Sequence, residues 1–304
     1  MRFKTIVRLV RDTVTEWNED NVPLLAAALA YYTMFSLAPL LIIVIAIAGA
    51  VYGEEAARGE IVRQMQGLVG RDGAQLIQSM IQNASKPGSG SGIATAIGLG
   101  FLIFGASGVF GQLQAALNTI WEVKPKPGRA IKSFVQARFL SFAMVLVIGF
   151  LLLVSLVLSA AFSGISSYFG GFLPKALQFG RILNFVISFA LVTLLFASIY
   201  KFLPDVKVPW KNLWVGAAVT ALLFNIGNFL IGLYLGNSSV GSTYGAAGSL
   251  VVVLLWVFYS AQILLFGAEF TQVYSKYRGR PIEPSSHAVS VKQETIDPAE
   301  KRDR

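Results

Sequence analysis

Cysteine is absent from the 304 residues, and histidine occurs once, at His287. The first absence excludes disulfides, thiol nucleophiles and cysteine metal sites. The lone histidine lies in a polar tail and is not read as a ligand. Charge is also scarce. Asp, Glu, Lys and Arg make up 13% of the chain, against about 25% in a soluble domain. The acids are sparser than the bases, 16 against 25. The densest acidic group, Glu16, Glu19 and Asp20, reads as an exposed helix end without a nearby histidine. Hydrolytic nucleases need metal-holding carboxylate or histidine clusters, or an acid–base pair. The expectation is a protein that is not an enzyme, with no cofactor and no metal.

What the chain does have is apolar length: 55% of its residues are hydrophobic. A helix needs roughly 20 apolar residues to cross a bilayer. Six stretches qualify, at 24–52, 93–121, 139–162, 182–200, 212–235 and 246–275. A membrane barrel would show short alternating segments instead. The expected fold is an all-α polytopic membrane protein with six transmembrane helices over residues 23–278. The N-terminal segment lacks an apolar stretch ahead of a small-residue cleavage site, so the first span is expected to act as an uncleaved signal anchor.

Six spans put both termini on one side. That side holds Arg2, Lys4, Arg8 and Arg11, then Lys124, Lys126, Arg129, Lys132 and Arg138. It also takes Lys201, Lys207 and Lys211, and the seven basic residues from Lys276 onward. The other side holds only Arg58, Arg63, Arg71, Lys86, Lys175 and Arg181. Cytoplasmic loops carry the basic excess, so both termini are expected in the cytoplasm. The net charge of +9 follows from this bias toward the anionic inner leaflet. The bases are divided among four segments, which does not suit a nucleic-acid surface.

Outside the spans, Phe3, Ile6, Val10, Val14 and Trp17 recur at helical spacing among basic residues. Residues 1–22 are therefore expected as an amphipathic helix on the inner leaflet, or else packed on the protein's own loops. In the first loop, 54–70 and 73–85 each carry an apolar stripe and predict two short outer helices. KPGSGSG at 86–92 reads as a hinge. The polar, proline-containing tail, 279–304, is expected to be disordered.

Polar groups recur inside the spans. In the first, Tyr32, Ser36 and Pro39 share a face; Pro39 cannot donate to the Phe35 carbonyl and predicts a kink, where Ser36 is placed to satisfy freed backbone. This is a hinge or cavity wall, or a static kink. The second span is rich in small residues that let backbones approach closely. The fifth has a small, amide-bearing face that includes Asn225 and Asn228. Amides within a span need partners, so they either hold helices together or line a polar cavity. In the last, Tyr259, Gln262, Glu269, Gln272 and Lys276 form one polar stripe. Glu269 lies ten residues, or about 15 Å, beyond the span's centre near Tyr259. Half the hydrocarbon core is also about 15 Å, which puts Glu269 near the cytoplasmic edge. An Arg or Lys from the second or fourth loop is the expected partner; a gating or substrate role is the alternative.

LAAALAYYTMFSLAPLL (25–41), FGASGVFGQLQAALNTIWEV (104–123), YKFLPDVKVPWKNLWVGA (200–217) and YGAAGSLVVVLLWVFYSAQILLFGAEF (244–270) resemble the YihY/virulence factor BrkB family of bacterial inner-membrane proteins. The resemblance covers about residues 5–278. It implies a six-span, multi-pass inner-membrane protein. Members once carried the label ribonuclease BN, a misassignment. Some are linked to serum resistance and to envelope lipid or lipopolysaccharide handling.

Two functions compete on these residues. In a transporter or translocator of lipids or envelope components, the polar faces of spans one, five and six meet to form a route. Lys124, Lys126, Arg129 and Lys132 would then bind headgroups at its mouth. In a non-transporting scaffold, the same glycines and amides are packing, and the basic loops dock partners. Membrane lipids are the expected partners of the first reading; protein partners and oligomeric state are left open.

Overall fold

A computed structural model describes residues 3–84, 92–126, 174–237, 247–279 and 282–291. The architecture is predominantly helical. Helix α1 (Phe3–Glu19) leads into α2 (Val22–Tyr52), α3 (Glu54–Ala84) and α4 (Gly92–Ile120), followed by a short strand β1 (Val123–Pro125). Helix α5 (Pro174–Phe202), strand β2 (Val206–Lys207), α6 (Trp210–Asn237) and α7 (Gly248–Tyr277) come next, and then β3 (Glu283–Pro284) and β4 (Ala288–Ser290).

Among the described residues, four helical segments are long and apolar enough to cross a membrane. They are Val22–Ala50, Phe185–Phe202, Trp210–Ile231 and Gly248–Tyr277. The expected span 93–121 falls on α4, and the expected span 139–162 lies outside the described residues. Helix α2 packs against α3, α4 and α7, while α7 also packs against α1 and α6, and α6 against α5.

Local chemistry sets these elements. Pro23 sits in the first turn of α2, where its missing N–H costs nothing. Pro39 lies within α2, which continues to Tyr52. Helix α3 is broken at Gly70, whose φ of 75° and ψ of −178° are not helical. A side chain is strained at such a φ, and glycine is not. The break separates the two apolar stripes of the first loop.

The tightest helix crossing joins α6 to α7. A Cβ on Gly267 would come within 2.6 Å of the Tyr200 hydroxyl and 2.8 Å of Thr220 Cβ. A Cβ on Gly216 would fall 2.9 Å from Thr271 Cβ. Each helix thus sets a glycine against the other's threonine, the close approach that small residues permit. Tyr200, fully buried, donates to the Leu264 carbonyl at 2.6 Å and lies 3.0 Å from Thr220 Oγ1. Thr220 and Thr271 sit within 2.8 Å of their own helices' carbonyls, at Gly216 and Gly267.

Residues 282–291 of the tail differ from the expectation of disorder, while residues 292–304 lie outside the described residues. Strand β4 pairs antiparallel with β1, Lys124 opposite Val289, and β3 pairs with β2, Val206 opposite Pro284. The Val291 N–H donates to the Glu122 carbonyl at 2.7 Å and the Ser285 N–H to Asp205 O at 2.9 Å. Residues 282–291 therefore strap together the corner after α4 and the loop after α5. Their backbone groups find partners across more than 75 residues of sequence, so the composition of the tail does not reveal them.

Candidate functional site

The last helix carries its polar residues to a junction with the N-terminal helix and the α4–β1 corner. Glu269 is fully buried. Among the described residues, no N–H or hydroxyl donates to either of its carboxyl oxygens. The group in hydrogen-bond contact with it is the carboxyl of Asp20, from the turn between α1 and α2. Among the described residues of the second and fourth loops, no Arg or Lys faces Glu269; Arg129, Lys132 and Arg138 lie outside the described residues. At this contact an acid meets an acid.

A ring of charge surrounds the pair. Lys276, two turns along α7 from Glu269, places Nζ 3.0 Å from Glu122 Oε1 and 3.4 Å from Glu16 Oε1. Gln272 Nε2 also reaches Glu122 Oε1, at 3.3 Å, while its own Oε1 is buried without a donor among the described residues. The lysine and the amide hydrogens are thus directed at Glu16 and Glu122 rather than at Glu269. Asp20 is held above the ordinary carboxyl value of 3.8, at about 6. Burial is the main cause, and the charges of Glu16 and Glu122 add to it; the hydrogen bond with Glu269 and the charge of Lys276 oppose it.

The backbone is shaped around this junction. Asn21 and Glu122 have φ of 51° and 53°, and among the described residues they are the non-glycine positions in the left-handed region. Each such residue costs of order 1–3 kcal/mol and persists where its surroundings over-determine it. Both flank the acid pair. Trp121 completes the wall, its Nε1 donating to Ala268 O at 3.4 Å and its ring edge-on to Tyr200 at 6.3 Å.

A second buried polar cluster lies beside the first. Asp205 Oδ2 accepts from Asn118 Nδ2 at 2.9 Å, and Oδ1 accepts from Gln114 Nε2 at 3.2 Å. His287 Nε2 is 2.9 Å from the same Oδ1. The histidine set aside in a supposedly loose tail is therefore part of the strap. Between the strap and the end of α4 is a cavity of about 360 Å³ lined by Asn118, Thr119, Glu122, Val123, Lys124 and Val291.

The other residues singled out in the sequence fall elsewhere. Ser36 donates to Gly105 O at 2.6 Å and accepts from the Val109 N–H at 3.2 Å. It satisfies the backbone of α4 rather than the carbonyl freed by Pro39 in its own helix. Tyr32 and Pro39 flank it against Gly108 and Gly105 of α4. Asn225 Nδ2 donates to Ala221 O on its own helix at 2.7 Å. Asn228 and Gln262 are half-buried, and the Tyr259 ring lies against Gly227. No hydrogen bond among the described residues joins the Ser36 group, the Asn225 group and the Glu269 group. Glu269 and Gln272 do share the junction. Lys126 Nζ donates to Ser286 O at 2.8 Å, and Lys124 lies on β1; Arg129 and Lys132 lie outside the described residues.

Asp20, Glu16 and Glu122 are the members that the sequence reading missed as site residues. The acids at 16, 19 and 20 are visible as a group, but they read as an exposed helix end. Asp20 and Glu16 are half-buried, because α1 lays its Leu9 and Thr13 face on α7. Its Ile6, Val10 and Val14 remain exposed.

Residues 13–291 match the family model described as virulence factor BrkB. A UPF0761 membrane protein of Pseudoalteromonas translucida is 30% identical over 84% of this chain and 82% of its own length. Another, of Psychromonas ingrahamii, is 28% identical over 85% of each. A third, of Psychrobacter sp. strain PRwf-1, is 27% identical over 94% of this chain, which spans about half, 52%, of that relative's length. No solved structure matches the chain. The chain belongs to the BrkB virulence-factor family and is an integral membrane protein.

Proposed function

We propose that this BrkB-family protein is a translocator of lipids or other envelope components across the bacterial inner membrane. It crosses six times, with α1, the α4–β1 corner and the C-terminal strap on the cytoplasmic side. The acid junction is its inner gate. The observation that carries this reading is Glu269: a fully buried carboxyl without a protein donor among the described residues, set against a second carboxyl. A group held that way adds little to static stability, because burying it is costly. Ionisable groups kept within membrane helices mark routes and gates. The basic residues on the same side, Lys124 and Lys126 among them, attract anionic headgroups.

The rival is a non-transporting scaffold, favoured by the interlocked Gly216–Thr271 and Gly267–Thr220 contacts, which pack α6 and α7 closely. The readings separate in liposomes. Reconstituted protein is expected to move a labelled anionic phospholipid between leaflets faster than protein-free liposomes do. Movement equal to that of empty liposomes contradicts passive translocation of that lipid and favours the scaffold.

A further inference from the structure

We propose that Asp20 and Glu269 form a binding site for a single shared proton, and that its release opens the junction between the α1–α2 turn and α7. The opening as a transport step rests on the translocator reading above; the proton site itself does not.

The geometry leaves few other ways to satisfy this pair. Two carboxylates in contact repel, and both are not ionised together at such a site without a counter-charge. The cation at hand, Lys276, bridges Glu16 of α1 and Glu122 of the α4–β1 corner. The neighbouring amide, Gln272, also donates to Glu122. Among the described residues, neither Glu269 oxygen receives a protein donor. One proton resolves the pair: an O–H bond forms on one carboxyl and donates to the other, leaving one negative charge on two residues. The proton comes from water on the side of α1 and returns to it on release.

The surroundings suit a proton that comes and goes. From α1, Glu16 faces the pair; from the α4–β1 corner, Glu122; both add negative potential and favour the proton. From α7, Lys276 opposes them. Burial, with the charges of Glu16 and Glu122, holds the Asp20 carboxyl above its ordinary value, the direction expected where two carboxyls keep a proton between them. Asp20 and Glu269 also belong to different bodies, one on a left-handed turn at Asn21 and the other on a helix locked to α6. When the proton leaves, two like charges meet in a buried place and push the α1–α2 turn and α7 apart.

The test is infrared difference spectroscopy of the full-length protein in an ester-free detergent, stepped in pH across neutrality. The expected result is a protonated-carboxyl C=O band that shifts in heavy water and disappears as pH rises. It should be lost in Glu269→Gln and also in Asp20→Asn. Either substitution supplies an amide N–H to the remaining carboxylate, so folding is preserved; a cooperative melting transition and a monodisperse elution profile verify this for each variant. A wild-type spectrum without such a band, or a band that survives in both variants, overturns the proposal. The phospholipid assay tests the translocator separately. Lipid movement without the band removes the proton site and keeps the translocator. The band without lipid movement keeps the proton site and removes the translocator.

Discussion

Asp20 and Glu269, 249 residues apart in the chain, meet carboxyl to carboxyl where the N-terminal helix lies on the last one. This contact fixes a sign for the dependence of stability on pH. The folded value of Asp20, about 6, is above its ordinary 3.8, so the folded state binds the proton more tightly than the unfolded chain. Its contribution is complete below 3.8 and is lost as pH rises through about 6. The melting temperature of the wild type should therefore fall, relative to Asp20→Asn, between those two pH values. Parallel profiles of the two proteins would show that Asp20 does not take up a proton on folding.

The crossing of α6 and α7 predicts intolerance to a single methyl group. Gly267→Ala would press Cβ on Tyr200 and Thr220, and Gly216→Ala would press on Thr271. Overpacking of this kind costs about 1–3 kcal/mol. Both variants should melt earlier in detergent, and combining Gly267→Ala with Thr220→Ala, which removes the hydroxyl in the way, should recover part of the loss. A Gly267→Ala protein as stable as the wild type would mean that the helices slide apart freely.

The strap predicts a different signature. Removing the Asp205 carboxylate leaves Asn118, Gln114 and His287 without their acceptor. An unsatisfied buried polar group costs about 1–3 kcal/mol. In Asp205→Ala, limited proteolysis should cut within 282–291 sooner than in the wild type, whereas Val289→Thr on the exposed side should leave the rate unchanged. Equal cutting in Asp205→Ala and wild type would show that strand pairing holds the strap without the aspartate.

The absence of cysteine makes orientation directly measurable. Single cysteines at exposed positions, Val289→Cys on the strap and Arg71→Cys on α3, should react with a membrane-impermeant reagent from opposite sides. Val289→Cys is expected to label in inverted vesicles and Arg71→Cys in right-side-out vesicles. The reverse pattern would put the basic loops outside.

The helices were legible because apolar length and small-residue spacing are local signals. Glu269 was legible too, as a charge within an apolar run. Its partner was not. The rule that acids seek bases pointed to a lysine or arginine, and it gave no hint of Asp20, which the fold brings from the other end of the chain. Lys276, the nearest base on the same helix, is taken by Glu16 and Glu122. Strands β1 to β4 escaped notice for another reason: two or three residues carry no alternation, and their partners lie far off in sequence. Ser36 shows the same limit. Its spacing from Pro39 suggested a role within its own helix, whereas its hydroxyl serves Gly105 and Val109 of α4.

The central claim is that the acid junction gates movement across the membrane. The most direct test compares transbilayer movement of a labelled anionic phospholipid by wild type and by Glu269→Gln, at equal insertion and equal melting temperature. The predicted result is a rate lower by at least about tenfold in the variant, equivalent to about 1.4 kcal/mol of barrier. Equal rates in the two proteins would contradict it and leave Glu269 a structural residue.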